Sequence, residues 1–532
     1  MVQSPMVDLN LMTFSQTHPV ECTWREIGIK TIFPFFKFSY NIPLIMKSAS
    51  AKLRRAPSVI MKTTLNSPVK TKPTLTKFIL VSSLFCVISL CVSVLLLAKT
   101  KIIDLSNSPQ HDVSQSDPTT VDHLVFGIAS TGTLWPSRKQ YTKLWWNSIP
   151  NITMRGCVFV DALPHEENVN NDDSLPPLCV SQDTSQFLYT YKRGLRSAIR
   201  VARVVKETVA LNHSSVRWYV FGDDDTIFIP HNLLKTLSKY DHRLWYYVGS
   251  NSEMYEGNQV YGFGMAFGGG GFAISSSLAQ VLAKVLDSCI QRYPHLFGSD
   301  SRVYSCLTEL GVGLTHEPGF HQVDLRGNIF GLLASHPLTP LLSLHHPDIF
   351  DPIFPNMSSI TSLQHLFEAV HVDSERILQQ TVCYEKQLSW TISISWGYAV
   401  QVFQNNMLLP EVLRVERTFR QWLKGNFLRG IYNFNTREVH PDPCKRGTIF
   451  YLDKVSSGKD GIMSSYKRDF QNCSYEASMS KLEVINVVTN KLHLDNKQTP
   501  RRHCCDVLPS NAGNLMEIAV RECNYEELIY MN

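Results

Sequence analysis

Short apolar runs alternate with segments of helical periodicity between residues 124 and 290. Three continuous apolar runs are typical of strands buried on both faces: Leu124–Ala129, Cys157–Val160 and Trp218–Phe221. Three segments predict helices, the second with the clearest amphipathic spacing: Arg138–Asn147, Lys192–Val209 and Ser277–Ile290. This alternation predicts an α/β fold, a mainly parallel sheet with helices on both faces. Ligands of such sheets bind beyond the carboxyl ends of the strands.

The pattern changes near Cys383. The segment Trp390–Val402 alternates in the manner of a strand and is rich in Trp, Tyr and β-branched residues. We therefore expect a second, smaller β-containing module over residues 383–532, cross-linked by the C-terminal cysteines.

One segment is apolar without interruption. Phe78–Ala98 carries no charged residue over 21 positions, and a helix of that length is about 30 Å long, which matches the hydrocarbon core of a membrane. Lys and Arg are abundant before it and sparse after it, so the positive-inside rule places the N-terminus in the cytosol. The sequence thus predicts a cytosolic basic tail over 1–77, a signal-anchor helix over 78–98, a stem over 99–121 and a lumenal α/β domain over 122–375.

Composition and charge narrow the classes of function. Hydrophobic residues make up 44% and charged residues 18% of the 532-residue chain, which excludes a wholly disordered protein. The formal net charge of +5 comes from one end, because residues 1–77 hold 11 Lys and Arg against 3 Asp and Glu. The rest of the chain is slightly acidic, so we expect no nucleic-acid partner for its folded body.

Two further patterns agree with a lumenal location beyond the apolar segment. All N-glycosylation sequons follow it: Asn151, Asn212, Asn356 and Asn472. Ten of the 13 cysteines also follow it, an even number that permits up to five disulfides in an oxidising compartment. Cys504 and Cys505 are adjacent, so we expect their sulfurs to bond to different partners.

Three adjacent carboxylates, Asp223 to Asp225, follow the predicted strand Trp218–Phe221. They repel one another unless solvent or a cation neutralises them. In an extended chain, residues two apart project to the same side, so Asp223 and Asp225 can converge while Asp224 points elsewhere. Carboxylate oxygens suit Mg²⁺ or Mn²⁺, which can also bind a substrate diphosphate. A solvated acidic turn is the alternative, and the position at a strand end favours the metal site.

Several motifs in combination resemble one enzyme family. The order RWYVFGDDDTIF, YGFGMAFGGGGFAIS and SRVYSCLTELGV is similar to Fringe-like glycosyltransferases, an inverting β-1,3-transferase family with a Rossmann-like GT-A fold. The segments LVFGIASTGTLWPSRKQYTKLWW, SWGYAVQVF and CCDVLPS resemble the plant Fringe-related group, long labelled a domain of unknown function. The resemblance covers roughly residues 120–530. It implies a UDP-sugar donor, Mn²⁺ and a glycan or glycoprotein acceptor.

The resemblance assigns metal and nucleotide contacts to particular residues. Asp225 falls at the position of the direct Mn²⁺ ligand, with Asp223 or Asp224 helping to hold the metal and the ribose of the nucleotide. The glycine run that contains Gly269 and Gly270 resembles a turn where the backbone approaches the sugar and the acceptor. The alternative for this run is a flexible strand-to-helix turn that binds no ligand.

The catalytic base implied by the resemblance is Asp300, in LFGSDSRVYSC. An inverting transfer needs one carboxylate to take the proton of the acceptor hydroxyl as its oxygen attacks the anomeric carbon. The alternative role for Asp300 is to cap the following helix, a role that Ser299 could fill instead.

A histidine is implied as the third metal ligand. His345 in LLSLHHPD resembles a segment of animal core 1 galactosyltransferases, and we favour it. His321 in PGFHQVDLRG matches the first histidine of a Fringe segment whose second histidine is replaced by Val323 here.

Together these features predict a Golgi type II membrane glycosyltransferase, which moves a sugar from a UDP-sugar to a glycan or glycoprotein hydroxyl with inversion, assisted by Mn²⁺ or Mg²⁺. A non-catalytic glycan-binding or scaffold protein is the alternative, in which Trp390, Trp396 or Tyr398 would bind sugar. These aromatic residues are otherwise expected in the core of the C-terminal module. A lumenal hydrolase dependent on a divalent cation is a third reading. The sequence contains no phosphate loop, nucleophile elbow or HExxH motif.

Overall fold

The computed structural model describes residues 85, 87–93, 118–146, 148, 153–164, 174–425, 430–459, 461–473, 475, 477–494, 501–509 and 513–531. The chain divides into two compact units, one from Val7 to Ser116 and one that contains Asp117–Asn532. In the smaller unit Phe85 and residues 87–93 are helical. The rest of the predicted signal anchor, the predicted tail and all but the end of the predicted stem lie outside the described residues. None of the described helices is both long and apolar enough to cross a bilayer.

The described residues of the larger unit contain ten α-helices and 22 β-strands, joined by turns and loops. The α-helices are α1 (Trp135–Trp145), α2 (Ser197–Ala210), α3 (Pro230–Leu237), α4 (Tyr255–Tyr261), α5 (Ser276–Arg292), α6 (Ser299–Glu309), α7 (Phe330–Ala334), α8 (Ser359–Asp373), α9 (Leu409–Val412) and α10 (Ala477–Lys481). The strands up to residue 344 are β1 (Leu124–Ala129), β2 (Arg155–Val160), β3 (Leu178–Val180), β4 (Trp218–Asp223), β5 (Ile227–Phe228), β6 (Tyr247–Gly249), β7 (Phe272–Ser275), β8 (Leu314–His316), β9 (Phe320–His321), β10 (Leu325–Gly327) and β11 (Ser343–Leu344). The later strands are β12 (Gln380–Glu385), β13 (Trp390–Ser395), β14 (Ala399–Phe403), β15 (Val415–Glu416), β16 (Phe419–Gln421), β17 (Thr436–Arg437), β18 (Thr448–Gly458), β19 (Gly461–Arg468), β20 (Val484–Thr489), β21 (Cys504–Leu508) and β22 (Leu515–Arg521).

A seven-stranded sheet in the order β3-β2-β1-β4-β7-β6-β8 forms the centre of the N-terminal part. The pairs β2–β3, β1–β2, β1–β4 and β6–β8 are parallel, whereas β7 is antiparallel to both β4 and β6. The predicted α/β fold is therefore confirmed as a mixed sheet, mainly parallel, with one reversed strand. The three predicted strands are present as β1, β2 and β4.

Helices cover both faces of this sheet. Phe126 and Ile128 of β1 belong to one apolar core, which also contains Trp145 of α1 and Leu233 of α3. Val125 points to the other core, with side chains of α2, α5 and α6. Both faces of β1 are thus buried, which explains why its sequence is continuously apolar.

Helix boundaries differ from the predicted ones where local backbone chemistry intervenes. The first helix begins at Trp135 rather than Arg138, because a proline stands in its first turn, where its missing N–H costs nothing. The second begins at Ser197 rather than Lys192. Arg193 has a φ of 63°, a left-handed conformation that a right-handed helix cannot contain.

The C-terminal part is built on an eight-stranded sheet in the order β12-β13-β14-β18-β19-β20-β22-β21. The segment Trp390–Val402 is not one strand but the hairpin β13–β14, which turns at Gly397 with a φ of 76°. Side chains of Trp390, Trp396 and Tyr398 are buried in the core, as expected for structural residues, and cannot present a surface to sugar. This core is continuous with the one beneath β1.

All ten cysteines that follow the apolar segment are paired. The five disulfides are Cys157–Cys179, Cys289–Cys306, Cys383–Cys505, Cys444–Cys473 and Cys504–Cys523. The adjacent residues Cys504 and Cys505 bond to different partners, as predicted. Cys383 lies on β12 and Cys505 on β21, so this bridge joins the two end strands of the eight-stranded sheet, with the Cα atoms 5.5 Å apart.

Candidate active site

The three adjacent carboxylates stand where the central strand β4 ends. Asp223 is the last residue of β4, and its backbone N–H donates to Thr226 Oγ1 at 2.7 Å. Its carbonyl accepts from Thr226 N–H at 3.0 Å, which closes a turn over Asp224 and Asp225. The predicted convergence of Asp223 and Asp225 is therefore produced by a tight turn and not by strand alternation.

A histidine completes this cluster. His345 follows β11, whose residue Leu344 pairs with Ile227 of β5, so the short sheet brings His345 back to the turn. His345 Nε2 lies 3.1 Å from Asp225 Oδ1 and 3.8 Å from Asp223 Oδ2. One ligand atom from each of the three residues falls within 4.8 Å of the others. The structure thus brings together all three predicted metal ligands.

The chemistry of these donors fits a hard divalent cation. Asp225 Oδ1 is buried and has no hydrogen-bond partner among the described residues, although His345 Nε2 lies 3.1 Å from it. The Nδ1 of His345 lies 3.3 Å from the carbonyl oxygen of Gln322, an arrangement in which Nδ1–H donates. Nε2 can therefore bind a metal once it has lost its proton. Two carboxylates and one imidazole are a donor set that Mn²⁺ accepts.

Electrostatics of the cluster reflect its crowding by acidic groups. Partial desolvation raises the pKa of Asp223, and the neighbouring carboxylates add to this shift although His345 opposes it. Burial lowers the pKa of His345, but Asp225 and Asp223 outweigh it and raise the value to about 9. Burial alone would raise the pKa of Asp225. The nearby His345 outweighs burial and holds the pKa of that carboxyl well below its usual range. The side chain of Asp223 is 41% exposed and so faces the opening of the site.

Asp224 points away from this cluster. Its Oδ2 accepts a hydrogen bond from Ser130 Oγ at 2.6 Å, and its Oδ1 accepts one from Arg138 Nη1 at 2.9 Å. The side chain is buried. Both carboxylate oxygens are therefore occupied by protein groups, which corresponds to a structural role in holding the turn; the predicted contact of Asp224 with a nucleotide stays a prediction.

Arg138 is a central residue of the site that the sequence analysis did not identify. It lies on α1, and its Nη1 is 2.9 Å from Asp224 Oδ1 and 3.2 Å from Asp225 Oδ2. Its Nε donates to Asp348 Oδ2 at 3.1 Å, and Tyr141 donates to the other oxygen of Asp348. Although burial opposes the charged form, Asp225 and Asp224 outweigh it and raise the pKa of Arg138. One guanidinium therefore balances the carboxylates from the side opposite His345.

The Arg138→Met substitution is expected to destabilise the fold, because it leaves Asp224 buried without its cation and Asp225 with His345 alone. Breaking a buried pair in this way costs about 3 kcal/mol in the free energy of unfolding. Added Mn²⁺ should restore part of the loss, since it supplies positive charge beside Asp225. Thermal melting with and without Mn²⁺ measures both effects. Arg243→Met is the matched control because Arg243 pairs with Asp241 at the surface and should change stability by less than about 0.5 kcal/mol. Equal melting of the two variants would contradict the assigned role.

Asp300 lies in the first turn of α6 and lines the same pocket as Asp223. The pocket wall includes Asp223, Gly268, Ser299 and Asp300. The carboxylate of Asp300 accepts from the backbone N–H of Gly268 and from Ser299 Oγ, the latter at 2.9 Å. The N-cap position of α6 is occupied by Gly298, so Asp300 lies in the first turn and not at the N-cap itself. Burial raises the pKa of Asp300 in spite of these hydrogen bonds, a direction that favours proton uptake.

The glycine run packs beneath these side chains. A Cβ on Gly268 would lie 2.5 Å from Asp300 Oδ1, and one on Gly269 would lie 2.0 Å from His345 Cε1. The carbonyl of Gly269 accepts from Thr226, and Gly270 N–H donates to the side chain of Gln322 at 2.6 Å. Close packing against Asp300 and His345 is therefore sufficient to explain why glycine occupies positions 268 and 269. The predicted approach of Gly269 and Gly270 to a donor sugar stays a prediction.

His321, the alternative metal ligand, points elsewhere. Its Nδ1 lies 3.2 Å from Glu253 Oε1, and its Nε2 lies 3.0 Å from His336 Nε2. The side chain is buried and belongs to no cluster of three metal-binding groups among the described residues. The geometry thus supports the choice of His345 over His321.

Comparison with known proteins connects part of the chain to glycosyltransferases. A family model described as "Protein of unknown function, DUF604" matches residues 257–505. A stretch of 111 residues is 32% identical to a protein of Mus musculus named beta-1,3-glucosyltransferase. This stretch is 21% of the chain and covers 22% of the length of the mouse protein.

Two solved structures overlap about half of the chain. One is the galactosyltransferase LgtC in complex with donor and acceptor sugar analogs, where 45% of this chain matches 94% of that one at 15% identity with a TM-score of 0.31. The other is the mannosyltransferase PcManGT from Pyrobaculum calidifontis in complex with GDP-Man and Mn²⁺, with 53% and 70% covered, 11% identity and a TM-score of 0.25. Scores of this size do not establish a common fold. The sequence match supports a relation to glycosyltransferases, while membership of the plant Fringe-related group stays a prediction.

Proposed function

We propose that the protein is a metal-dependent, inverting glycosyltransferase that transfers a sugar from a UDP-sugar to a hydroxyl of a glycan or glycoprotein. The observation that carries this proposal is the convergence of Asp223, Asp225 and His345. Asp223 also lines a pocket whose wall includes Asp300. Metal ligands and a separate carboxylate of raised pKa are the two components that such a transfer requires.

Each of these residues would have a distinct role. Asp223, Asp225 and His345 would hold Mn²⁺, which when bound neutralises negative charge on a diphosphate. Asp300 takes the proton of the acceptor hydroxyl as the acceptor oxygen bonds to the anomeric carbon. The bond from that carbon to the diphosphate oxygen breaks, UDP departs and the configuration inverts. Arg138 keeps Asp224 and Asp225 in place from the other side.

The name of the mouse relative supports the reaction class. That protein is named as a beta-1,3-glucosyltransferase, and the similarity extends over 111 residues. We therefore propose a hexose as the transferred group and a β-1,3 linkage as the product. UDP as the nucleotide and Mn²⁺ as the metal follow from the resemblance to Fringe-like enzymes together with the donor set of the site.

UDP release by the full-length chain tests the proposal. UDP-sugars are offered singly with Mn²⁺, with a chelator in place of Mn²⁺, and with the variant Asp223→Asn. This variant suits the test because the Asp223 side chain is partly exposed, so its neutralisation should leave folding intact. Metal-dependent release from one donor, lost in the variant, is the expected result. A folded chain that neither binds nor turns over any UDP-sugar would overturn the proposal.

We also propose that the folded part resides in the Golgi lumen, with residues 78–98 as its membrane anchor. The five disulfides support an oxidising compartment. Asn212, Asn356 and Asn472 are exposed, and the fourth sequon residue, Asn151, lies outside the described residues.

Expression of the full chain in a eukaryotic cell checks the lumenal location. The three exposed asparagines should carry glycans, so peptide N-glycosidase should increase electrophoretic mobility in a single shift. Replacing all three with Gln should remove most of that shift. An unmodified chain in a secretion-competent cell would contradict the lumenal location without bearing on the metal site.

A further inference from the structure

Four side chains are stacked in a row that ends at the candidate metal site. The guanidinium carbon of Arg326 lies 4.6 Å from the ring centre of Trp422. The Trp422 ring is 4.6 Å from that of His346 at an angle of 21°, and the His346 ring is 3.7 Å from that of His345. His345 is the candidate metal ligand. The guanidinium of Arg326 thus contacts Trp422, Trp422 contacts His346, and His346 contacts His345.

The inner part of the row is held in an unusual backbone conformation. His346 has a φ of 63° and Val323 a φ of 53°, values that non-glycine residues rarely adopt, β-branched residues least of all. His346 Nδ1 lies 3.3 Å from the carbonyl oxygen of Val323, in parallel with the contact of His345 with Gln322. Conformations of this kind persist only where surrounding structure enforces them. On the outer face of His346 that surrounding structure is the Trp422 ring.

Trp422 reaches this position from the C-terminal part of the chain. It follows β16, which pairs antiparallel with β10 from Leu325 to Gly327. The Nε of Arg326, in β10, donates to the carbonyl of Trp422 at 2.7 Å. Phe419, the first residue of β16, is buried in the core. Strand pairing, the hydrogen bond from the Arg326 side chain to the Trp422 carbonyl and the burial of Phe419 thus hold this segment in place.

We infer that Trp422 is a positioning residue for the metal site: it orients His345 through His346, so that the C-terminal part of the chain completes the site. The inference rests on the proposed function, because it assumes that His345 binds a metal. Ring contacts of this kind are individually weak, but partners that orient a metal ligand change metal affinity by about ten-fold or more. Removing the Trp422 ring is therefore expected to weaken Mn²⁺ binding about five- to ten-fold.

Titration of the full-length chain with Mn²⁺ alone, followed by electron paramagnetic resonance of the free ion, tests the inference. The variants are Trp422→Ala, Trp422→Leu, which keeps apolar bulk without a ring, and Trp422→Phe, which keeps a ring. Trp245→Ala is the matched control because Trp245 is exposed. Thermal melting of each variant reports whether it is folded. Weaker binding in the Ala and Leu variants, with wild-type binding in the Phe and Trp245 variants, is the expected result.

Three other outcomes have definite meanings. Wild-type Mn²⁺ affinity in a folded Trp422→Ala or Trp422→Leu variant would overturn the inference. An equal loss in the Ala, Leu and Phe variants would also overturn it, because stacking would then not be the cause. Absence of Mn²⁺ binding in the wild-type chain would instead overturn the proposed function itself. If Mn²⁺ binding is lost in Asp223→Asn but unchanged in the Trp422 variants, the proposed metal site stands and only the inference about Trp422 fails.

Discussion

Asp300→Asn is expected to reduce the rate of sugar transfer by about 10³-fold while leaving donor binding intact. The amide has nearly the shape of the carboxylate but cannot accept the proton of the acceptor hydroxyl, and general-base catalysis contributes about 10²- to 10⁴-fold. Because Asp300 is not among the three clustered ligand residues, its neutralisation should leave Mn²⁺ binding intact. The measurement is kcat for transfer to an acceptor, together with a donor-binding titration.

Glu309→Gln is the control for this experiment. Glu309 lies at the other end of α6 and pairs with Arg292 on the surface, so the same chemical change is made on the same helix away from the pocket. Its kcat should match that of the wild type. If Asp300→Asn retained full kcat, the base would have to be another group. If it lost donor binding as well, Asp300 would act in building the pocket and not in proton transfer.

Asp225→Asn is expected to weaken Mn²⁺ binding by at least about 100-fold and to abolish turnover of the donor. The substitution neutralises a buried carboxylate of the ligand cluster whose Oδ1 has no hydrogen-bond donor in the described structure. Loss of a direct ligand exceeds the roughly 10- to 100-fold cost of losing a partner that only orients one. The fold should tolerate the change, because Arg138 still pairs with Asp224 and Asp348.

The matched control for the metal experiment is Asp348→Asn. This residue also contacts Arg138, but it is not among the three clustered ligands. Mn²⁺ affinity measured by titration should fall in Asp225→Asn and stay within about two-fold of wild type in Asp348→Asn, a difference of less than 0.5 kcal/mol. An equal fall in both variants would assign the effect to Arg138 and its surroundings rather than to coordination by Asp225.

The sequence predicted those features that depend on neighbouring residues. The six residues of β1 are all buried, so their apolar run predicted the strand without knowledge of the rest of the fold. The three carboxylates were found because they follow the apolar strand β4 directly. The hairpin around Gly397 was interpreted as one strand, because the apolar pattern continues through the turn.

Features that depend on long-range contacts could not be predicted in the same way. Arg138 is one of several basic residues on an aromatic-rich helix, and its partners Asp224 and Asp348 lie 86 and 210 positions away. His345 and His321 are both buried histidines close to short strands. Only their positions in three dimensions distinguish the residue that joins the Asp223–Asp225 cluster from the one that pairs with Glu253. Resemblance favoured His345, and the geometry supplies the physical reason.

The bridge between Cys383 and Cys505 has a consequence for biosynthesis. The two cysteines are 122 positions apart, and a ribosome adds about 5–20 residues per second, so β12 emerges roughly 6–24 s before β21. Until then the thiol of Cys383 has no native partner and the outer edge of β12 is uncovered. The disulfide between the two end strands, β12 and β21, can therefore form only after nearly the whole chain has been translated. Cys444 and Cys473 emerge within that interval, so non-native bonds from Cys383 to either of them compete with the native bridge until Cys505 is available.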